Sequence, residues 1–479
     1  MSLETATHAQ PPALLGPLGD DSRDPERRVA RLFELAGGEL HHMVAVAGGA
    51  VVLARGELDG FRVHVFATNP LVKGGALGRA GCTAIADHID EARLVGGGVI
   101  GLWHCGGARI DEGVDALEGM GTLFSAITRA SGVVPQVSVI LGSAAGGAAY
   151  GPALTDVVVM APEGRLFVTG PDVVRMVTGE VISKEDLGGP TVHQRVSGVA
   201  HICGTDQDDA MARGCAVMTL MLDATRPEPG LARRLVALDT VLPARANRAY
   251  DVHDVVDALV DGEFHELQAG WARNTVIGFG RIAGGRVGIL ANNPLRLGGC
   301  LTAEASDKAA RFVRLCDAFA IPLVVLVDVP GYLPGADQEY DAVLRRGAKL
   351  LHAFAAATMP RVTVVMRKAY GGSYLAMNGA AMGATAVLAW PQAEVAVMGA
   401  EGAIEILGRR ALAGLPEPER EQRRAELIAD YRATEMCSER VIESGAVDRI
   451  LRPAETARAV AEVIAGAAPG MRASRNIPL

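Results

Sequence analysis

Gly60, Arg62, Val63 and Ala67 recur 224 positions later as Gly284, Arg286, Val287 and Ala291. The same shift carries Asn69-Pro70-Leu71 onto Asn293-Pro294-Leu295, Gly74-Gly75 onto Gly298-Gly299, and Gly107 onto Gly331. With one added residue, Pro135, Val137, Val139, Gly146 and Gly147 fall on Pro360, Val362, Val364, Gly371 and Gly372; after a further insertion of four, Gly170 falls on Gly399. A repeat this long exceeds a solenoid unit, so the chain reads as a tandem duplication of one domain. Each copy alternates apolar strands with helical stretches, the pattern of α/β layers.

In the first copy, residues 50–54 and 62–67 read as strands joined by a turn at Glu57-Leu58-Asp59-Gly60. Thr83 to Leu94 has helical spacing, with Ile85, Ile89 and Ala92 on one face. Val99 to Trp103 is a buried strand, Asp111 to Ser131 a long helix, and Val137 to Leu141 a second buried strand. The second copy repeats this with a helix over Thr302 to Phe319 and a strand over Leu323 to Val327. Arg226 to Arg248 is the expected crossover, and Tyr250 to Val260 a helix opening the second domain. Pro416 to Ser444 is charged and helical in period, and Ala454 to Ala465 forms another helix. The expected divisions are a flexible lead-in over 1–27, a first domain over 28–248 and a second over 249–479.

Two stretches stand out. Val139 to Leu141 runs into Gly142-Ser143-Ala144-Ala145-Gly146-Gly147 and then a helical stretch; its echo, Val364 to Tyr370, runs into Gly371-Gly372-Ser373-Tyr374-Leu375. Two glycines in series let backbone N–H groups come close to a ligand. A helix starting there leaves further N–H groups unpaired. Such a turn can hold an oxyanion. Gly106-Gly107 and Gly331 also follow buried strands, and no side-chain base or nucleophile stands beside any of the four turns. Two equivalent sites point to two substrates that each pass through an enolate-like state.

Other chemistries are excluded or weakened by the sequence. Gly278-Phe279-Gly280 lies between short strands with no helix after it, so it is not a dinucleotide fingerprint. No Gly-Lys dipeptide or HExxH occurs, and neither Ser143 nor Ser373 stands in a nucleophile elbow. His88-Ile89-Asp90-Glu91 has no second histidine at metal spacing, and no bound metal is expected. Seven scattered cysteines without a CxxC pair fit reduced thiols in the cytoplasm. Cys105 is expected to be buried and inert. A net charge of −9 without a basic tract speaks against nucleic-acid binding, and no apolar run is long enough to span a membrane.

Several longer segments carry a family resemblance. They are Gly106-Gly107-Ala108-Arg109 with Glu112-Gly113, Ala144 to Ala153, Val168-Thr169-Gly170-Pro171, Asn292-Asn293-Pro294 with Gly298-Gly299, Asp328 to Gly335, and Arg367 to Gly372. On these residues the chain resembles the carboxyltransferase (beta) subunit of biotin-dependent acyl-CoA carboxylases, of the actinobacterial acetyl/propionyl-CoA type, from about Arg28 to Leu479. The resemblance implies an α/β fold made of two crotonase-like spiral ββα domains, and a homohexamer, a trimer of dimers, with sites at the dimer interface. It implies transfer of a carboxyl group from carboxybiotin to the α carbon of acetyl-, propionyl- or a longer or branched acyl-CoA, giving a malonyl-CoA-type product. In that chemistry carboxybiotin releases CO2, and the biotin enolate takes the acyl α proton.

By carry-over, the N–H groups of Gly146 and Gly147 hold the thioester enolate, and those of Gly372 and Ser373 hold the biotin ureido oxygen. Gly106, Gly107, Ala108, Arg109, Ala148, Tyr150 and Leu375 are expected to line the acyl-CoA site, and Gly331, Tyr332, Gly371 and Tyr374 the biotin site. Ser373 stands where the family usually has Ala, and Cys105 where it usually has Ser. Leu375 replaces the Asp common in propionyl-type enzymes and the Ile of those that accept acetyl-CoA. No Met-Lys-Met biotinylation sequence occurs. The resemblance therefore puts biotin on a partner, an alpha subunit with biotin carboxylase and biotin carrier regions, with a small epsilon subunit as a further partner. The alternatives are a biotin-linked acyl-CoA decarboxylase subunit and a crotonase-type hydratase or hydrolase. The last needs paired carboxylates facing the turns, and the sequence offers none at fixed spacing.

Overall fold

The computed structural model describes residues 21–245, 248–470 and 476. Most of the expected lead-in, residues 1–20, lies outside them. Its last residues, Pro25 to Arg27, already belong to helix α1 (Pro25–Leu35), which Asp24 caps by accepting from the N–H groups of Glu26 and Arg27.

The first unit is built on one sheet of β1 (Glu39–Val46), β2 (Val51–Leu58), β3 (Phe61–Thr68), β4 (Gly98–Cys105), β5 (Gln136–Ala145), β6 (Val157–Met160), β7 (Arg165–Phe167) and β8 (Ile202–Cys203). The order is β1-β2-β3-β4-β5-β6-β8, with β7 pairing the end of β5. The first three strands are antiparallel neighbours, and from β3 onward the pairs are parallel. The β2–β3 hairpin turns at Asp59-Gly60, both in the left-handed region, as two-residue hairpin turns demand. Helices α2 (Arg79–Val95) and α3 (Val114–Ala130) join successive parallel strands. They bury Ile85, Ile89, Leu123 and Ile127 with Trp103 and Ile140 of the sheet.

The second unit repeats this plan. Its strands are β9 (His265–Leu267), β10 (Thr275–Ile282), β11 (Gly285–Asn292), β12 (Leu323–Val329), β13 (Arg361–Tyr370), β14 (Ala386–Ala389), β15 (Glu394–Ala396) and β16 (Arg449–Ile450). The order is β16-β14-β13-β12-β11-β10-β9, with β15 pairing the end of β13. Gly278 and Gly280 lie inside β10, in agreement with their rejection as a nucleotide loop.

The two compact units divide between Leu222 and Asp223, earlier than the expected 248/249. The reason is hydrogen bonding. Arg286 N–H donates to Thr225, Glu228 N–H to Ala283, and Leu235 N–H to Ala454, so the crossover is stitched onto the second unit. The charged stretch from Pro416 is two helices, Glu417–Glu435 and Ser438–Glu443, broken at Met436-Cys437.

Candidate functional site

In the first unit, β4 and β5 run parallel and end side by side, with Cys105 opposite Ala144. Gly106-Gly107 continues from one strand and Gly146 from the other. The loop holding Gly74-Gly75 closes over them: Gly106 N–H donates to Gly74 at 3.1 Å and Leu77 N–H to Gly107 at 2.8 Å. A Cβ on Gly75 would strike the His104 carbonyl, and one on Gly299 would come within 2.5 Å of the Asp328 carbonyl. These glycines repeat because each loop lies flat against the next strand.

The second unit repeats the closure except at Pro330, which stands in the place of Gly106 and has no N–H to donate. Leu301 N–H donates to Gly331 at 3.0 Å, and Leu333 N–H to Leu301 at 2.8 Å. Leu77 bridges Ala108 as Leu301 bridges Tyr332. Val329 lies opposite Ala369, which brings Gly331 beside Gly371.

Gly146 has φ 59° and Gly371 φ 58°, a bend that L side chains resist. Each bend turns a strand into a short helix, α4 (Gly147–Ala153) in one unit and Gly371–Ala376 in the other. The donors differ from those expected at one position. Gly146 N–H is already bonded to the Phe167 carbonyl of β7 at 3.1 Å. The first-turn N–H groups left without a backbone partner are those of Gly147 and Ala148, and in the second unit those of Gly372 and Ser373. This corrects Gly146 from donor to bend. The repeat carried the signal, since a shift of 225 puts Gly147 and Ala148 on Gly372 and Ser373.

The remaining expected residues divide in two. Tyr150 is half-exposed, with its ring edge-on to Phe124, and Leu375 is 39 % exposed; both are available to a ligand. Arg109 is committed to the scaffold: its guanidinium donates to the Ala76 carbonyl at 3.0 Å and to Glu112 at 3.1 Å. Glu112 also accepts from Arg79 N–H, so the carboxylate beside the first turn is occupied. The Tyr374 hydroxyl donates to the Ala446 carbonyl at 2.8 Å, and burial pushes its phenol up. Tyr332 lies over Gly347. The Ser373 hydroxyl donates to the Tyr370 carbonyl at 2.6 Å. It is spent on its own turn, as a backbone-donor role predicts. Burial pushes the Cys105 thiol up to about 11, which makes it inert at neutral pH.

Sequence reading did not foresee what stiffens the second turn. Arg367 pairs with buried Asp328 at 2.8 Å, stacks on Tyr250 and donates to the Arg248 carbonyl. Asp328 also accepts from Lys368 N–H, and its own N–H donates to Asn292. This ties β11, β12 and β13 together three residues before Gly331 and three to four before Gly371. Burial holds the Asp328 carboxyl above its ordinary range, with Arg367 pulling the other way. The separate motifs Asn292-Asn293, Asp328-Val329 and Arg367-Lys368 are thus one network.

The second turn suits a flat cyclic urea. No atom lies within 4 Å of where a Gly372 side chain would stand, so a ring can approach the backbone there. Two adjacent N–H groups can then share one carbonyl oxygen.

The carboxyl transferase domain family matches residues 27–474. The biotin-dependent acetyl-/propionyl-coenzyme A carboxylase beta6 subunit of Mycobacterium tuberculosis is 50% identical over 466 residues, 96% of this chain and 97% of that one. The propionyl-CoA carboxylase beta chain of Rhodococcus erythropolis is 51% identical over the same shares. Among solved structures, the transcarboxylase 12S hexamer with methylmalonyl-coenzyme A and methylmalonic acid bound superposes with a TM-score of 0.87. It is 37% identical, over 95% of this chain and 94% of that one. Such coverage spans both units, and the chain belongs to the carboxyl transferase domain family.

Proposed function

We propose that this chain is the carboxyltransferase subunit of a biotin-dependent acyl-CoA carboxylase. The observation that carries the reading is the pair of adjacent, unpartnered N–H groups at each of two repeat-equivalent turns. The first unit takes the acyl-CoA. Gly147 and Ala148 donate to the thioester oxygen as negative charge builds there on loss of the α proton. One such donor is worth about 2.7–4 kcal/mol of barrier. Gly372 and Ser373 hold the ureido oxygen of biotin, which when bound supplies the activated carboxyl group. The charge-stabilising groups are backbone, so they need no reorganisation during reaction, and the Arg367–Asp328 network keeps the second turn rigid.

Names of the relatives support acetyl- and propionyl-CoA as substrates, with Leu375 facing the acyl chain. The 12S neighbour, a hexamer, supports the same assembly for this chain. So do exposed apolar side chains such as Met176, Val177, Val181 and Leu344, which a monomer would leave in water. Among the described residues no helix is long and apolar enough to cross a membrane. All seven thiols are free, which favours the cytoplasm. The purified chain, combined with a biotin carboxylase and biotin carrier partner, is expected to fix bicarbonate onto acetyl- or propionyl-CoA with ATP and to show hexamer mass by light scattering. No product across short and longer acyl-CoAs would refute the activity, and a monomer mass would refute the assembly.

A further inference from the structure

His64 lies on β3 and His88 on α2, and spacing along the sequence does not connect them. The fold does. Their rings sit 4.8 Å apart, centroid to centroid, inside the first unit. They are only 1% and 4% exposed. Glu91, one turn further along α2, brings a carboxylate 3.8 Å from His88 Nδ1. One ligand atom from each of the three residues falls within 4.8 Å of the others.

The state of the two rings is what a ligand set requires. His88 Nε2 meets the Ala54 carbonyl of β2 at 3.1 Å. Donation there fixes the tautomer and leaves Nδ1 as a lone-pair donor facing Glu91 and His64, the arrangement that orients metal-ligating histidines. His64 is starker: neither ring nitrogen has a hydrogen-bond partner, although the residue is buried. A buried polar group without a partner is uncommon, and an ion is one of its explanations.

We propose that His64, His88 and Glu91 bind a divalent transition-metal ion of the zinc class, which pins α2 to β3 in the interior of the first sheet. Two imidazoles and one carboxylate suit such an ion, with a fourth position left for water. Drawing the ligand atoms to tetrahedral spacing, roughly 3.3 Å for bonds of about 2.0–2.1 Å, asks for a movement of about 1 Å. Glu91 is half-buried on the helix and can supply it. Arg55 is the competitor, since its guanidinium holds one Glu91 oxygen at 2.7 Å. The ion stands apart from carboxyl transfer. His64 pairs with Val99 near the start of β4, whereas Gly106 follows that strand's end. Seven residues of strand rise put about 20 Å between them. The proposal is therefore independent of the function argued above.

The test uses the full-length protein after chelator treatment, titrated with Co2+ and then Zn2+. The expected result is one Co2+ per chain with visible d–d absorption, displacement by Zn2+, and a higher Tm with either ion. His64→Leu and Glu91→Gln should each weaken binding at least about tenfold. Glu91→Gln should leave the rate of acyl-CoA carboxylation unchanged. Because His64 is buried its variant can fail to fold; Glu91→Gln, at the helix surface, then decides alone. Absence of stoichiometric Co2+ binding to the wild-type chain would overturn the proposal. So would Co2+ bound to Glu91→Gln as tightly as to wild type.

Discussion

Leu375 is the third residue after Gly372 and reaches solvent from the short helix Gly371–Ala376. An apolar side chain there offers dispersion contacts to an acyl chain and nothing to hydrogen-bond. Leu375→Asp would place a charge against the chain, and the loss should grow with the number of methylenes buried. An apolar pocket discriminates one methylene by about 10–200-fold. The expected outcome is a fall in kcat/KM for longer acyl-CoAs of at least about tenfold relative to acetyl-CoA, measured across a panel. Equal profiles would remove Leu375 from selectivity. At this scale the sequence was legible where backbone does the work. The bends at Gly146 and Gly371 followed from glycine alone. Which N–H groups stay free did not, because the Phe167 carbonyl that occupies Gly146 comes from β7, a three-residue strand with little pattern. The scaffold hydrogen bonds of Arg109 and Tyr374 were not legible for a similar reason: motif position marks a residue without showing what its polar atoms bond to.

Among the elements, the helix His253–Leu259 is held by charge. His253 sits between Glu266 of β9 at 3.0 Å and Asp251 at 2.5 Å, and Asp251 also accepts from Asn293 in the loop after β11. Glu266, with Asp251 behind it, raises His253 to about 9 against the opposing effect of burial. A raised histidine stabilises the fold fully below its ordinary value of about 6.5, and that contribution is lost as pH rises through about 9. Thermal unfolding should therefore show Tm falling between pH 6.5 and 9, by about 1 kcal/mol of stability once solvent screening of a one-third exposed ring is allowed for. His253→Gln should flatten that slope, and an unchanged slope would rule the histidine out. Elements with a clear period or turn chemistry were legible, including the first unit's hairpin turn and α2. Strand β1 was not, because Glu39–Val46 is largely exposed and its residues, Glu-Leu-His-His-Met-Val-Ala-Val, do not alternate apolar with polar. The break at Met436-Cys437 was also hidden, since the helical period runs through it.

The whole molecule was the most legible level. A duplicated text fixes two copies of one architecture, and the two sheets share order, hairpin turn and closing loop. The boundary was the exception. Residues 223–245 carry no period of their own; hydrogen bonds with Arg286, Ala283 and Ala454, the Asp223–Arg281 ion pair and the packing of Leu238 in the second core assign them to the second unit. The duplication also implies that equivalent backbone donors serve two different substrates. Proline at the first turn of a helix removes an N–H without breaking an intrahelical bond. Gly147→Pro and Gly372→Pro therefore each delete one donor; the new side chain meets open space at Gly372 and the flexible end of Met120, 3.2 Å away, at Gly147. The most direct measurement is kcat for bicarbonate- and ATP-dependent carboxylation of propionyl-CoA by the reconstituted complex carrying either variant. A fall of about 10²–10³-fold is expected for each, with Tm unchanged. A rate equal to wild type for either folded variant would contradict it.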